Sequence, residues 1–138
     1  MWPPRNDILG DDGRLKTRRY YLLGTGKTYG VMLHQFAGDD APDRFHDHPW
    51  TWGVSLMLRG GYYEERVERD GQRRIWWRAP WRLAFIRADR FHRVMLRNGR
   101  RAWTLFFHGP VFRRWRYFDA ATGAINASGF SYPTLERM

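Results

Sequence analysis

The octapeptide Asp43-Arg44-Phe45-His46-Asp47-His48-Pro49-Trp50 sets two imidazoles two residues apart. In extended backbone, residues i and i+2 point to the same face, so His46 and His48 stand side by side. Two such nitrogens, each about 2 Å from one point, make half a metal site. Pro49 cannot donate to a β-ladder, which predicts that the pair lies at a strand start, beside a loop. A third imidazole, His92, follows in Asp89-Arg90-Phe91-His92-Arg93-Val94, just ahead of another predicted strand. Three neutral imidazoles with open coordination positions suit iron(II), zinc, nickel, copper or manganese, and leave room for substrate or water.

Outward from these histidines the chain reads as strands. Short runs rich in Val, Ile, Tyr, Phe, Trp and Thr recur, each closed by turn residues, while helical periodicity is scarce. Strands are predicted over 19–23, 30–36, 51–59, 62–69, 73–78, 82–86, 93–96, 103–108 and 113–118. Asp70-Gly71 and Asn98-Gly99 are predicted hairpin turns, because both central positions of such turns need positive φ. Thr122-Gly123 reads as a looser turn. In Thr51–Arg59, Val54, Leu56 and Leu58 share one face, and Gly53, Ser55 and Met57 the other. Both sets are uncharged, so this strand is predicted to be covered on both sides, with one set lining a lumen. Many short strands with frequent turns predict an all-β, antiparallel sandwich or barrel.

Composition bounds the rest. The chain has 138 residues, 43% of them hydrophobic and 17% aromatic, which suits one domain with a real core and excludes intrinsic disorder. The absence of cysteine excludes a disulfide scaffold, a thiolate nucleophile, an iron–sulfur cluster and a Cys-built zinc finger. No run approaches the ~18–20 apolar residues of a membrane helix. Met1-Trp2-Pro3-Pro4-Arg5-Asn6-Asp7 has no apolar core behind its charge, and the expected compartment is the cytoplasm. The net charge is +10, and every basic residue except Lys16 and Lys27 is arginine. A phosphate-rich partner would fit that charge. So would codon choice in a GC-rich genome, and the arginines are scattered rather than gathered in a tail.

His46, His48 and Gly60, followed by His92, resemble the two motifs of the cupin superfamily. In the first, a His-x-His pair precedes a glutamate and then a glycine; Gly53 stands here in the place of the glutamate. The second supplies one histidine after a turn, and His92 fits, although Arg87 and Asp89 replace the usual proline and glycine. More narrowly, Phe45–Trp50, Leu58-Arg59-Gly60-Gly61-Tyr62, Phe91–Val94, Trp103-Thr104-Leu105 and Gly109-Pro110 are similar to a group of small cupin-like proteins of bacteria and phages. The resemblance implies a double-stranded β-helix (jelly-roll) barrel with its core over about 19–118, within one domain spanning 1–138. It implies a divalent metal held by His46, His48 and His92, and frequent homodimerisation. Residues 119–138 are expected to be irregular.

A three-histidine site without the carboxylate is similar to that of the cupin thiol dioxygenases, where iron(II) binds thiolate substrate and oxygen. Losing the anionic ligand leaves more positive charge on the metal and favours an anionic substrate; it can equally mark a site that no longer holds metal. Glu64 and Glu65, several residues out of register, are the nearest replacement carboxylates. The metals that fit best are Fe2+ and Zn2+, with Ni2+ and Mn2+ as alternatives.

Around the triad, His34 alternates with apolar neighbours and either points into the lumen or is a hydrogen-bonded core histidine. Tyr62 and Tyr63 straddle the two faces of one strand, so one can reach the lumen to position substrate or carry a proton. Arg59, Arg93, Ser55 and Trp50 are the expected substrate contacts. Asp47 points away from its flanking histidines and is expected to pair with Arg44 or Arg93, and His108 is expected to be structural. Arg73-Arg74-Ile75-Trp76-Trp77-Arg78 and Phe112-Arg113-Arg114-Trp115-Arg116 interleave arginine with indole. That pattern suits base stacking, a dimer interface, or strands with one aromatic and one basic face. The functions that follow are a metal-dependent, dioxygenase-like oxidoreductase acting on a small anion, zinc- or manganese-dependent isomerase or hydrolase chemistry on the same ligands, a non-catalytic small-molecule or nucleic-acid-binding cupin, or a phage-associated interaction protein.

Overall fold

A computed structural model describes residues 2–24 and 28–127, and these form twelve strands and no helix. One six-stranded antiparallel sheet runs β1 (Arg5–Leu9), β2 (Leu15–Leu23), β3 (Gly30–Phe36), β10 (Ala102–His108), β5 (Trp52–Arg59), β8 (Leu83–Arg87). The other runs β12 (Ile125–Ala127), β11 (Arg116–Asp119), β4 (Arg44–His46), β9 (Phe91–Leu96), β6 (Tyr62–Val67), β7 (Arg73–Arg78). The two sheets face each other, and the all-β antiparallel architecture is as the sequence predicts. Among the described residues no helix is long and apolar enough to cross a membrane.

Alternation decides which side chains meet between the sheets. On β5, Gly53, Ser55 and Met57 are buried, while Val54, Leu56 and Leu58 lie on the outer side and are only half-buried. Two small apolar clusters fill the interior: Tyr21, Met32, Trp50, Phe106 and Trp115 in one, Met57, Tyr62, Val94, Leu96 and Ala102 in the other. The Phe36 and Tyr62 rings meet nearly perpendicular across the sheets, with centroids 5.1 Å apart.

The turns behave largely as their residues require. Asn98 and Gly99 both adopt positive φ (52° and 68°). At Asp70-Gly71 only the glycine does, and Asp70 instead accepts a hydrogen bond from the Gln72 amide at 2.9 Å. Three strands escape the sequence reading. β1 and β4 are short and polar, with little periodicity to detect. Residues 119–138, expected to be irregular, contain β12, which pairs with β11 through Phe118↔Ile125; residues 128–138 lie outside the described residues. The His-x-His pair closes a strand rather than opening one: β4 ends at His46, and the backbone of His48 is held by the Ala88 carbonyl.

Candidate metal centre

β4 lies between β11 and β9, and this neighbourhood brings the histidines together. His46 is the cross-strand partner of His92, and its other neighbour is Tyr117. His48 swings back toward the same point two residues later. One ring nitrogen from each of His46, His48 and His92 lies within 4.8 Å of the others. Ring centroids are 4.6 Å apart for His46–His92 and 4.7 Å for His48–His92. The Nε2 atoms of His48 and His92 face each other at 2.8 Å.

Each ring is steadied differently. Nδ1 of His92 faces Glu64 Oε1 at 3.4 Å, and Nδ1 of His46 faces Asp40 Oδ2 at 3.6 Å, both in electrostatic contact. Carboxylates behind Nδ1 favour the tautomer that leaves the Nε2 lone pair for a metal. His48 is instead stacked on Trp50, with centroids 5.3 Å apart. Burial pushes His46 and His48 well below the usual imidazole range, and the neighbouring His92 adds to it. Both rings are therefore neutral at pH 7, the form that ligates metal.

The carboxylates are anchored rather than free. Burial opposes the ionisation of Glu64, but His92 and the Arg66 and Arg78 guanidiniums outweigh it and hold the carboxyl well below its usual range. Glu64 is thus an orienting group behind His92, and Glu65 is occupied by Arg73 and Arg93. Asp40 bonds Lys16 and accepts from the Val94 amide at 2.7 Å. At Gly53, where the motif carries glutamate in the cupins it resembles, a Cβ would lie 2.6 Å from Phe106 Cζ. The Phe106 ring fills the room a carboxylate side chain would need, which leaves three imidazole nitrogens as the candidate donor set. That set fits a divalent first-row metal with positions left open.

A cavity of about 90 Å³ adjoins the triad, lined also by Arg19, His34, Trp50, Ser55, Tyr62 and Thr104. Of the residues expected here, His34, Trp50, Ser55 and Tyr62 are present. Tyr63 points outward and packs on Trp77, with centroids 4.9 Å apart. Arg59 is exposed at the end of β5, and Arg93 is held by Glu65 on the outer side of β9; neither lines the cavity. Burial pushes the Tyr62 phenol up, so it stays protonated as a donor near Ser55. His108 is structural, bonding the Gly109 carbonyl at 2.8 Å and stacking on Trp50.

Asp47 is fully buried and points away from the triad, but its partners are neither Arg44 nor Arg93. It accepts from Arg113 Nη2, Arg116 Nε and the Arg116 amide at 2.8, 2.6 and 2.7 Å. Arg44 is taken by Asp11. The pairing of β4 with β11 decides this by laying Arg116 over the reverse side of the histidine segment. The arginine–indole motif of β7 is satisfied within the chain, with Arg66 4.8 Å and Arg78 5.9 Å from the Trp76 ring centre.

The sequence reading missed Arg19, Lys16, Asp40, Thr104 and Phe106. Period-two alternation says that one of Arg18 and Arg19 faces inward; it does not say which.

Fold and site together define an all-β protein with a three-imidazole cavity between two antiparallel sheets. The fold is that of the cupins. The chain is similar to Fe(II) HppE (12% identity, TM-score 0.61, covering 78% of this chain and 56% of that one). It is similar to the cupin-2 domain Rru_A2000 of Rhodospirillum rubrum (14%, 0.60, 83% and 76%). It also matches Bacillus subtilis oxalate decarboxylase, described with Mn(II) centres (13%, 0.57, 80% and 29%). The chain spans little more than half of HppE and under a third of the decarboxylase. Neither a protein-family model nor a curated protein matches it.

Proposed function

We propose that this protein is an iron(II)-dependent, dioxygenase-like oxidoreductase acting on a small organic anion, with His46, His48 and His92 as the metal ligands. The observation that carries the reading is the convergence of three imidazoles without a carboxylate ligand, Phe106 standing where one would reach. A bound iron(II) would supply Lewis acidity and one-electron chemistry at its open positions. Glu64 and Asp40 orient two of the rings, Trp50 packs the third, and Tyr62 and Ser55 present hydroxyl groups to the cavity.

Protein purified without added metal is expected to carry about one ion per chain by elemental analysis, with iron predominant. His46→Ala and His92→Ala are each expected to lower that content at least about tenfold, since two nitrogens seldom hold a first-row ion. Chelation is expected to lower the unfolding free energy by about 2.7 kcal/mol relative to protein held at 100 times its Kd for metal. Wild-type protein that neither carries metal nor takes it up ends the reading. Zinc or manganese in place of iron turns it toward isomerase or hydrolase chemistry on the same ligands.

A second copy of the chain is the proposed cover for the outer face of the β1–β8 sheet. Two apolar rows cross it, Phe85–Val54–Phe107–Val31 and Leu83–Leu56–Leu105–Leu33. Leu83 is 69%, Phe85 60% and Phe107 37% exposed, so the rows present apolar side chains to solvent. Within the chain β5 is covered on one side only, against the expectation of cover on both, and a second copy would supply the other. Light scattering is expected to give a dimer for the wild type and a monomer for the double variant Leu83→Lys/Phe85→Glu; a monomeric wild type rejects it.

A further inference from the structure

Across the cavity from the triad, the inner face of the other sheet carries a polar row. Asn6, Arg19, His34 and Thr104 are successive cross-strand partners on β1, β2, β3 and β10. Each has a buried polar atom without a hydrogen-bond partner: Asn6 Nδ2, Arg19 Nε and Nη1, His34 Nε2 and Thr104 Oγ1. Three of them line the cavity, with Asn6 behind Arg19. Arg19 is 9% exposed, and its described contact is the Trp115 ring, 4.8 Å from the guanidinium carbon. No carboxylate among the described residues pairs with it, since Asp40 and Glu64 are already bound elsewhere.

Native proteins rarely leave one buried polar group unsatisfied, and a buried unpaired cation is costlier still. Adjacent positions on three strands sharing that condition, around one cavity, mark groups built for something that enters it. The charge balance indicates what. The row offers one guanidinium, one hydroxyl and one neutral imidazole, a match for a planar monoanion rather than a phosphoryl dianion, which takes more donors. The cavity limits the ligand to a few heavy atoms.

We infer that Arg19, flanked by Thr104 and His34, seats the carboxylate of a small organic acid and presents the rest of that molecule toward the triad. The inference rests on the anionic-substrate reading above and adds the class of anion and the side chains that select it. The cation–π contact with Trp115 holds the guanidinium at the cavity.

The test is titration of metal-free and metal-loaded protein with acetate, pyruvate, malonate and, as control, inorganic phosphate. Binding is followed by calorimetry and by the arginine Nε–H resonances in a proton–nitrogen spectrum. The wild type is expected to bind at least one carboxylate, with one Nε–H resonance, absent from Arg19→Gln, moving on titration. Arg19→Gln is expected to weaken that binding about ten- to a hundredfold, and Thr104→Val severalfold, with metal content unchanged in both. Should Arg19→Gln fail to fold by circular dichroism, Arg19→Lys and Thr104→Val carry the comparison. Equal affinity in wild type and folded variants, preference for phosphate, or no carboxylate binding in either metal state overturns the inference. Because metal content is measured separately, a triad that fails to load metal still leaves the metal-free titration to decide the role of Arg19.

Discussion

In chelator-treated protein, the free energy of unfolding is expected to fall steeply as the pH drops below about 6.5. Burial holds His34, His46 and His48 well below their ordinary value of 6.5. Nearby cationic or imidazole groups add to the shift: Arg19 beside His34, and His92 beside the other two. In the unfolded chain the same rings take up protons near that ordinary value. Between the two ranges the unfolded state binds more protons, so stability is complete above pH 6.5 and drains as the pH falls toward the folded-state values. Each ring contributes a slope of about 1.4 kcal/mol per pH unit, and the three together ~4 kcal/mol per unit. A domain of this size has only about 5–15 kcal/mol in total, so one pH unit removes much of it. Urea unfolding at pH 7.5, 6.5 and 5.5 measures the slope directly. His34→Gln, outside the triad, is expected to reduce it by one proton's share. Bound metal would compete with protons at the triad and move the loss to lower pH. Stability that is flat from pH 7.5 to 5.5 would show that the rings titrate as though exposed.

Asp47→Ala is expected to destabilise the protein by about 3 kcal/mol, near the lower end of what breaking a buried ion pair costs. The carboxylate is fully buried and takes three hydrogen bonds from two arginines on the β11 side. Removing it strands Arg113 and Arg116, whose side chains keep 23% and 35% exposure, so water relieves part of the penalty. Asp47→Asn keeps the shape and loses the charge, and about half that effect is expected. Asp47 also lies between His46 and His48, so loosening it frees the segment that aims both rings, and metal affinity is expected to fall with stability. Chemical denaturation together with metal titration separates the two effects. A change below about 1 kcal/mol for Asp47→Ala would mean the arginines find new partners at no cost.

The arginine–indole contacts of β6 and β7, which fall on both faces of the sheet, illustrate how far a motif can be read without its neighbours. Arg66, Arg78 and Trp76 form a ladder closed within the chain, and Arg97 lies 5.3 Å from the Trp77 ring centre. In sequence this interleaving is indistinguishable from a base-stacking surface, because alternation gives each residue's face but not what the arginine covers. The apolar set Val54, Leu56 and Leu58 posed a similar ambiguity, and pairing with Phe85 and Phe107 makes that side an exposed sheet face.

The all-β class, most strand positions, the Asn98-Gly99 turn and the three imidazoles were legible from residue order alone, because they depend on local spacing and backbone preference. So was the turning of Asp47 away from its flanking histidines, since neighbouring residues in extended backbone must diverge. What backs each ring, which arginine enters the cavity and which arginines meet Asp47 came instead from the packing of the two sheets. Those contacts join residues such as Arg19 to His34 and Asp47 to Arg116, across strands whose adjacency depends on sheet order rather than on distance along the chain. The place of the absent glutamate was likewise settled in three dimensions, where Phe106 on β10 reaches over Gly53 on β5 and closes it.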